Sequence, residues 1–435
     1  MKFKLKIIWY YLKLIARGKF NSLEELRAYQ NKQVKIFQEN VLSKSTYYKK
    51  YTHLDTRQWI KIPIISKPEF MSNFDAINTC GIKLSEALDL AIQSENTRDF
   101  KSEVYGITVG LSTGTSGKRG VFLVSETERA KWVALVMQRV IRVQLFKRQK
   151  VAFFLRANSN LYSSVDSLLF EFKYFDIFKN TNELLKELEA FQPDILASQP
   201  SYLIEITRAK FNQTIQINPT QIISFAEVLD EADKQFIKQV FPVQLSEVYQ
   251  CTEGFLGCTC EHGTMHINED LVMIEKEWID ETKFYPIITD FSRESQPIVR
   301  YRLNDILEVK KDNCVCGSAF IAIEKIIGRE DDVLELSGIK IYPDLLSRKI
   351  ALFTDHYTRY TIVQKSATLL EIGIECESKD FEQACESFKT CISTYFTTLG
   401  ISQFSLAFKN EIELIPGNKL RKIKRTKDEN QYTSH

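Results

Sequence analysis

Between residues 150 and 250, short β-rich runs alternate with helical segments, and that alternation confines the chain to few folds. VAFFL near 151, DILAS near 194, IISFAEV near 222 and VQLSEVY near 243 are strand-like, with helix-like stretches from Asn182 to Phe191 and Ser201 to Phe211 between them. Such alternation predicts an α/β architecture. Upstream, residues 22–50 are predicted helical, because Ser22 with Glu25 makes a capping box and Leu26, Val34, Phe37 and Val41 recur at helical spacing. KIPIISKPEF, residues 61–70, is predicted extended, with two prolines as punctuation. Residues 106–124 read as strand, loop, strand, and a helix follows from about Glu126 to Phe146. After Gly328 the character changes. IIGREDDVLELSGIKIYPD is rich in turn residues, and the rest predicts a small α+β unit: strands TIVQKS and LLEIGIEC, helix DFEQACESFKTCISTYF, strand SLAFKN. A domain boundary near Arg329 follows, giving domains 1–329 and 330–435.

The loop LSTGTSGKRGVFL joins two of the β-like runs. Its small residues let backbone approach an anion, and glycine permits the angles that aim N–H groups inward. Ser112, Thr113, Thr115 and Ser116 add hydroxyls, Gly114 and Gly117 add freedom, and Lys118 adds charge. A Walker A loop would need glycine at 112 and Ser or Thr at 119, where this chain has Ser112 and Arg119. The plain alternative is a flexible, hydroxyl-rich hairpin loop.

STGTSGK resembles the phosphate loop of the adenylate-forming superfamily, the acyl-CoA ligases and their relatives. Five further segments resemble that family's motifs in its order: SFAEVL at 224–229, YQCTEG at 249–254, RYRLNDILE at 300–308, GREDDVLELSG at 328–338 and GNKLRKIKR at 417–425. Each is weak alone, and their shared order carries the specificity. PSYL at 200–203, MHINED at 265–270 and CVCG at 314–317 are similar to the phenylacetate-CoA ligase branch. The YQCTEG form and the GNKLRKIKR tail resemble its capsule-biosynthesis-like and deazaflavin-coenzyme-adenylating homologues.

The resemblance implies a large AMP-binding core, a small mobile C-terminal domain, and adenylation of a carboxylic acid by ATP with Mg²⁺. It implies that Ser112 to Lys118 hold the outer phosphates, Thr252 touches the α-phosphate and Glu253 ligates Mg²⁺, a hard ion suited to a carboxylate. Tyr249 would stack on adenine with Ala226 and Glu227 along its edge. Asp305 would accept from the ribose hydroxyls, assisted by Arg329. Lys419 would reach the α-phosphate and carboxylate, and Asp331 would be the hinge between two half-reactions. One position departs: the family's glycine after Tyr249 is Gln250, which argues against simply assigning phenylacetate.

Nine cysteines include two Cys-x-Cys pairs and no regular framework, which suits a reducing cytoplasm better than a disulfide scaffold. Cys258, Cys260, His266, Cys314 and Cys316 offer up to five ligands, and zinc commonly takes four. The resemblance implies a structural Zn²⁺ on Cys260, His266, Cys314 and Cys316, with Cys258 and His262 as spares. Reduced, buried cysteines without metal are the plain alternative. The net charge of +2 gives no field for nucleic acid. The N-terminal run KFKLKIIWYYLKLIARGKF is too short to span a bilayer and lacks a cleavage site. It remains either an amphipathic helix on a membrane surface or, preferably, a first helix packed on the body. Homodimer assembly stays open.

Three functions compete. The first passes an acyl group, preferably aromatic, from acyl-AMP to CoA. The second uses another acceptor: a carrier-protein thiol, an amine, or none. The third is a non-catalytic homologue, disfavoured because Lys118, Thr252, Glu253, Asp305, Arg329 and Lys419 are all present.

Overall fold

A computed structural model of the protein describes residues 3–97, 103–112, 120–144, 147–155, 169–354, 357–412 and 421–426. Two compact units emerge. One comprises Met1–Glu227, Phe236–Leu303 and Leu307–Lys325; the other comprises Val228–Gln235, Asn304–Ile306 and Ile326–His435.

In the first unit, β1 (Glu103–Val104), β2 (Ile107–Leu111) and β3 (Val121–Ser125) form a three-stranded antiparallel sheet. The helix Leu84–Thr97 covers it, so Ala87, Ala91, Val109, Val121 and Leu123 share one core. Side chains from a distant loop satisfy the backbone of β3. Gln296 accepts from the Leu123 N–H at 3.1 Å and donates to the Val121 carbonyl at 3.2 Å, and Arg293 donates to the Leu123 carbonyl at 3.1 Å.

The large sheet has twelve strands: β4 (Gln149–Leu155), β5 (Phe170–Asp176), β6 (Ile195–Ser198), β7 (Gln221–Phe225), β8 (Gln244–Gln250), β9 (Phe255–Thr259), β10 (Met265–Ile267), β11 (Val272–Trp278), β12 (Lys283–Asp290), β13 (Ile298–Arg302), β14 (Asp305–Val309) and β15 (Ala322–Arg329). The order is β11-β12-β14-β15-β10-β9-β8-β7-β6-β4-β5, with β13 paired to β12. β5, β4, β6, β7 and β8 are mutually parallel, and β9 turns back antiparallel to β8. The central parallel strands β4, β6 and β7 run through core on both faces, as their mostly apolar sequence requires. Phe153 stacks on Phe225 and Phe154 stacks on both Phe175 and Tyr202, so the phenylalanines of β4 are core.

The expected helices between these strands are Thr181–Phe191 and Pro200–Phe211. Three expectations need correction. The helix from Glu126 ends at Arg139, not near Phe146. Two buried glutamines end it: Gln221 donates to the Val140 carbonyl at 2.6 Å and accepts from Arg142 N–H at 3.2 Å, while Gln149 donates to the Arg142 carbonyl at 3.1 Å. The helix after Ser22 ends at Asn40, and two 3₁₀ turns, Leu42–Lys44 and Lys49–Tyr51, replace its continuation. There Tyr47 N–H and the Ser45 hydroxyl both reach the Ala76 carbonyl, and Tyr48 is buried. The segment 61–70 is extended only to Ser66; Lys67–Ser72 is a helix with a capping box on Ser66 and Glu69 and Pro68 in its first turn.

In the second unit, a four-stranded sheet runs in the order Ser405–Lys409, Leu369–Glu375, Arg359–Gln364, Ile423–Arg425. Helices Pro343–Phe353 and Phe381–Thr398 pack on it through Leu346, Ile350, Phe388, Ile392 and Phe396, all fully buried with Leu370 and Ile372. Three of its four strands and its long helix fall where the sequence predicts them; the strand Ile423–Arg425 and the helix Pro343–Phe353 are additions.

Candidate active site and metal cluster

Ligands of open α/β sheets sit outside the carboxyl ends of parallel strands. β7 and β8 pair there with Phe225 opposite Val248, so Ala226 and Tyr249 follow side by side. Ala226 has φ +71°, the left-handed region that costs an alanine about 1–2 kcal/mol. Glu227 accepts from Ser201 N–H at 3.1 Å, capping the helix Pro200–Phe211, whose N-cap residue Gln199 makes no side-chain cap of its own. Tyr249 is buried, and the departure at Gln250 is anchored: Trp132 Nε1 donates to its Oε1 at 3.1 Å. The indole N–H can only donate, so the amide must present its carbonyl to Trp132.

The chain then closes a tight turn, with Cys251 and Gly254 exchanging backbone hydrogen bonds of 3.1 and 3.3 Å. Position 254 needs glycine, because a Cβ there would lie 2.4 Å from Asp290 Oδ2. The turn presents Glu253. Its carboxylate accepts from the Thr252 hydroxyl at 2.8 Å and the Tyr301 hydroxyl at 2.9 Å. Burial pushes the Glu253 carboxyl up, but hydrogen bonds from Thr252, Cys251 and Tyr301, with the Lys67 ammonium nearby, outweigh it and hold it below the ordinary glutamate range. An ionised, partly buried carboxylate beside a hydroxyl is a donor set that fits a hard divalent cation.

Lys67 also reaches the phosphate-loop candidate, donating to Ser112 Oγ at 3.2 Å. Ser112 closes the base of that loop: its N–H donates to the Gly120 carbonyl and its hydroxyl accepts from Gly120 N–H, each at 2.7 Å. Thr113, Gly114, Thr115, Ser116, Gly117 and Lys118 lie outside the described residues. Lys67 is seated because Ile65 bridges to β13 through Arg300 and Arg302 backbone bonds of 3.0 Å, while Phe70 packs edge-on against Tyr301. The sequence reading missed Lys67 and Tyr301. Lys67 stands inside a capping box with a proline, a pattern that signals a helix start and nothing more.

In the second unit, Arg329 Nε lies 3.5 Å from Asp305 Oδ1. The 3₁₀ turn Glu330–Asp332 is tied to Asn304: Glu330 N–H donates to its carbonyl at 2.7 Å, and its side-chain amide donates to Asp331 Oδ2 at 3.3 Å. Asp332 is buried and pairs with Arg421. Lys419 lies outside the described residues.

Cys260, His266, Cys314 and Cys316 converge in the first unit, their ligand atoms all within 4.8 Å of one another. Cys260 Sγ lies 3.7 Å from Cys314 Sγ, and His266 Nε2 lies 3.4 Å from Cys316 Sγ. A tetrahedral zinc with Zn–S near 2.3 Å has S···S edges of about 3.8 Å, so the spacing fits a metal and is far from a disulfide. The Phe320 carbonyl, 3.1 Å from His266 Nδ1, can only accept, so Nδ1 carries a proton and Nε2 is oriented toward the thiols. Burial and the neighbouring Cys260 and Cys314 sulfurs push the Cys316 thiol up, an electrostatic crowding that a bound cation relieves. Two glycines at positive φ shape the turns, Gly263 after Cys260 and Gly317 after Cys316. Cys258 is buried instead beside Asn268, 4.0 Å from its Oδ1, and His262 is exposed.

No family model matches the chain. The phenylacetate-coenzyme A ligase of Thermus thermophilus is 24% identical over 207 residues, which cover 44% of this chain and 46% of that protein. Protein CapK of Staphylococcus aureus is 24% identical over 419 residues, 92% of this chain and 86% of CapK. The chain therefore spans about half the length of the Thermus ligase it matches, and most of CapK. Among solved structures, a 2-hydroxyisobutyryl-CoA ligase in the postadenylation state with R3-HIB-AMP superposes with a TM-score of 0.70 at 16% identity, covering 95% of this chain and 92% of that one. By sequence the chain is similar to phenylacetate-coenzyme A ligases and to CapK, and its fold is that of the adenylate-forming ligases among the solved structures.

Proposed function

We propose that the chain uses ATP to adenylate a carboxylic acid, preferably aromatic, releasing pyrophosphate, and then passes the acyl group to CoA. The observation that carries this reading is the Glu253 carboxylate, held ionised by Thr252 and Tyr301 at the carboxyl end of the parallel strands with Lys67 beside it. A carboxylate is a poor electrophile. Its oxygen attacks the α-phosphorus, the bond to pyrophosphate breaks, and the resulting mixed anhydride has AMP as a good leaving group. A thiol sulfur then attacks the acyl carbon and AMP departs.

Ser112 to Lys118, with Lys67, neutralise the outer phosphates. Thr252 turns its hydroxyl to the α-phosphate, and Glu253 holds Mg²⁺. Bound magnesium supplies charge neutralisation and alignment of the phosphates. Tyr249 takes the adenine face, Ala226 and Glu227 its edge, and Asp305 with Arg329 the ribose. Lys419 brings charge to the α-phosphate and the acid, and Asp331 serves as the hinge. Asp331→Pro is then expected to slow thioester formation in single-turnover assays while sparing adenylation; equal loss of both contradicts the hinge. Cys260, His266, Cys314 and Cys316 hold a structural zinc, since four protein ligands leave no open position.

One observation favours a second reading, an acceptor other than CoA: the sequence match to CapK runs through 92% of the chain, while that to the Thermus CoA ligase runs through 44%. Pyrophosphate exchange across aryl and fatty acids, followed by the best acid with CoA, tests both. Exchange with CoA consumption supports the first reading, and exchange without it supports the second.

A further inference from the structure

The helix Phe3–Arg17 has two apolar faces, and the body of the protein covers one of them. Ile7, with Phe3, Tyr10, Tyr11 and Leu14 around it, packs against the core that contains Ala130, Val133 and Ala134 of the helix Glu126–Arg139. Lys6 donates to Glu126 at 2.6 Å, Arg17 pairs with buried Asp270, Arg129 lies 5.6 Å from the Phe3 ring centroid and Lys131 lies 5.6 Å from that of Tyr10. The helix is thus fastened along its length.

The other face carries Leu5, Ile8, Trp9, Leu12 and Ile15, each 50–58% exposed. At about 100° per residue these five fall within an arc of about 120°, and Lys4 and Lys13 fall on its two flanks. Both lysines are exposed, and Lys13 Nζ lies 5.2 Å from the Trp9 ring centroid. No acidic residue occurs before Glu24. A contiguous apolar stripe of this size marks an interaction surface.

We propose that this face docks the protein on the surface of an anionic lipid bilayer. Leu5, Ile8, Trp9, Leu12 and Ile15 enter the boundary between headgroups and acyl chains, and Lys4 and Lys13 meet the lipid phosphates. Three properties select this occupant. A 15-residue helix is about 22 Å long, short of the roughly 30 Å hydrocarbon core, so it lies in the interface plane. Tryptophan and flanking lysines over an apolar stripe are the composition of such helices. A second copy on the same face would set Lys4 and Lys13 against their own kind across a two-fold axis, with no acid on the helix to offset them, whereas anionic headgroups neutralise them.

The test is flotation of the full chain with vesicles of phosphatidylcholine containing 30% (about one-third) phosphatidylglycerol, against pure phosphatidylcholine. Binding is expected to the anionic vesicles, weakened in high salt. Trp9→Glu with Leu12→Glu is expected to abolish it. Lys4→Glu with Lys13→Glu is expected to weaken it about thirtyfold or more, with thermal melts unchanged for both pairs. Absence of wild-type binding to anionic vesicles overturns the proposal, and so does equal binding to both vesicle types. A concentration-dependent dimer in sedimentation, lost in the Trp9/Leu12 variant while vesicle binding is absent throughout, assigns the face to a second copy instead. The charge-reversed lysines supply an independent reading should the apolar variant fail to fold.

Discussion

The Cys260/His266/Cys314/Cys316 cluster and the Glu253 edge lie in the same unit and are built on contrasting plans. The cluster is closed: four side chains within 4.8 Å of one another, supplied by two loops and β10, with a backbone carbonyl fixing the imidazole. The Glu253 edge is open and assembled from many sources: a turn after β8, a tyrosine on β13, a lysine at a helix start and a serine at the base of a loop. A closed set can satisfy a metal and hold loops together. An open set of strand ends leaves space for a substrate. Under the proposed function, that difference assigns stability to the cluster and chemistry to the edge.

Breaking the cluster therefore should cost the fold first. Cys314→Ser, or exhaustive chelation, is expected to abolish a one-to-one zinc content by elemental analysis. It should also destabilise the first unit by several kcal/mol, less than the roughly 10 kcal/mol of an isolated zinc finger because the sheet persists. Zinc-free protein with an unchanged melt contradicts the structural role.

A buried carboxyl behind the edge sharpens the contrast through pH. Burial pushes Asp290 up to about 6, although Ser292 donates to it twice. A raised carboxyl favours the fold while protonated, so its contribution is complete below about pH 4 and lost as pH rises through 6. Asp290→Asn should gain about 2 kcal/mol over the wild type between pH 4.5 and 7.5 in paired melts. Parallel pH profiles for the two proteins rule this out.

Lys67→Met should raise the KM for ATP in pyrophosphate exchange about tenfold and leave zinc content and melting temperature alone. A loss of stability without a change in KM places Lys67 in the scaffold. The smallest effect expected is at Gln250. Gln250→Gly should shift relative kcat/KM among acids by about fivefold with KM for ATP unchanged, because it alters pocket shape and polarity only. An unchanged acid ranking removes Gln250 from the pocket.

These two regions were unequally legible in sequence. Cys-x-Cys pairs with an intervening histidine offer up to five candidate ligands by type and spacing, and the structure gathers the four that the family resemblance implied. Thr252 and Glu253 stood within an ordered set of motifs. Lys67 did not: its partner is 45 residues away and its segment carries no chemical signature, whereas Tyr301 lies within RYRLNDILE, a motif that pointed to Asp305 and not to a tyrosine 48 residues from Glu253. The same applies to the helix from Glu126. Its continuation past Arg139 suits local propensity, yet Gln221, on a strand about 80 residues further along, and the nearer Gln149 capture the backbone of Val140 and Arg142 and turn it aside. Where the outcome depends on side chains brought from elsewhere, local pattern carries no trace of it. In the second unit, local pattern sufficed for three strands and the long helix, which bury their apolar faces within one short stretch of chain.

The most direct test of the open edge as a site of adenylation is acid-dependent exchange of labelled pyrophosphate into ATP by wild type and Glu253→Gln, both verified as folded and zinc-replete. At least one carboxylic acid, with aryl acids first, is expected to support magnesium-dependent exchange, and the variant is expected to lose it by about 10²–10³-fold. Exchange at the wild-type rate in Glu253→Gln, or none with any acid by the folded wild type, contradicts the account.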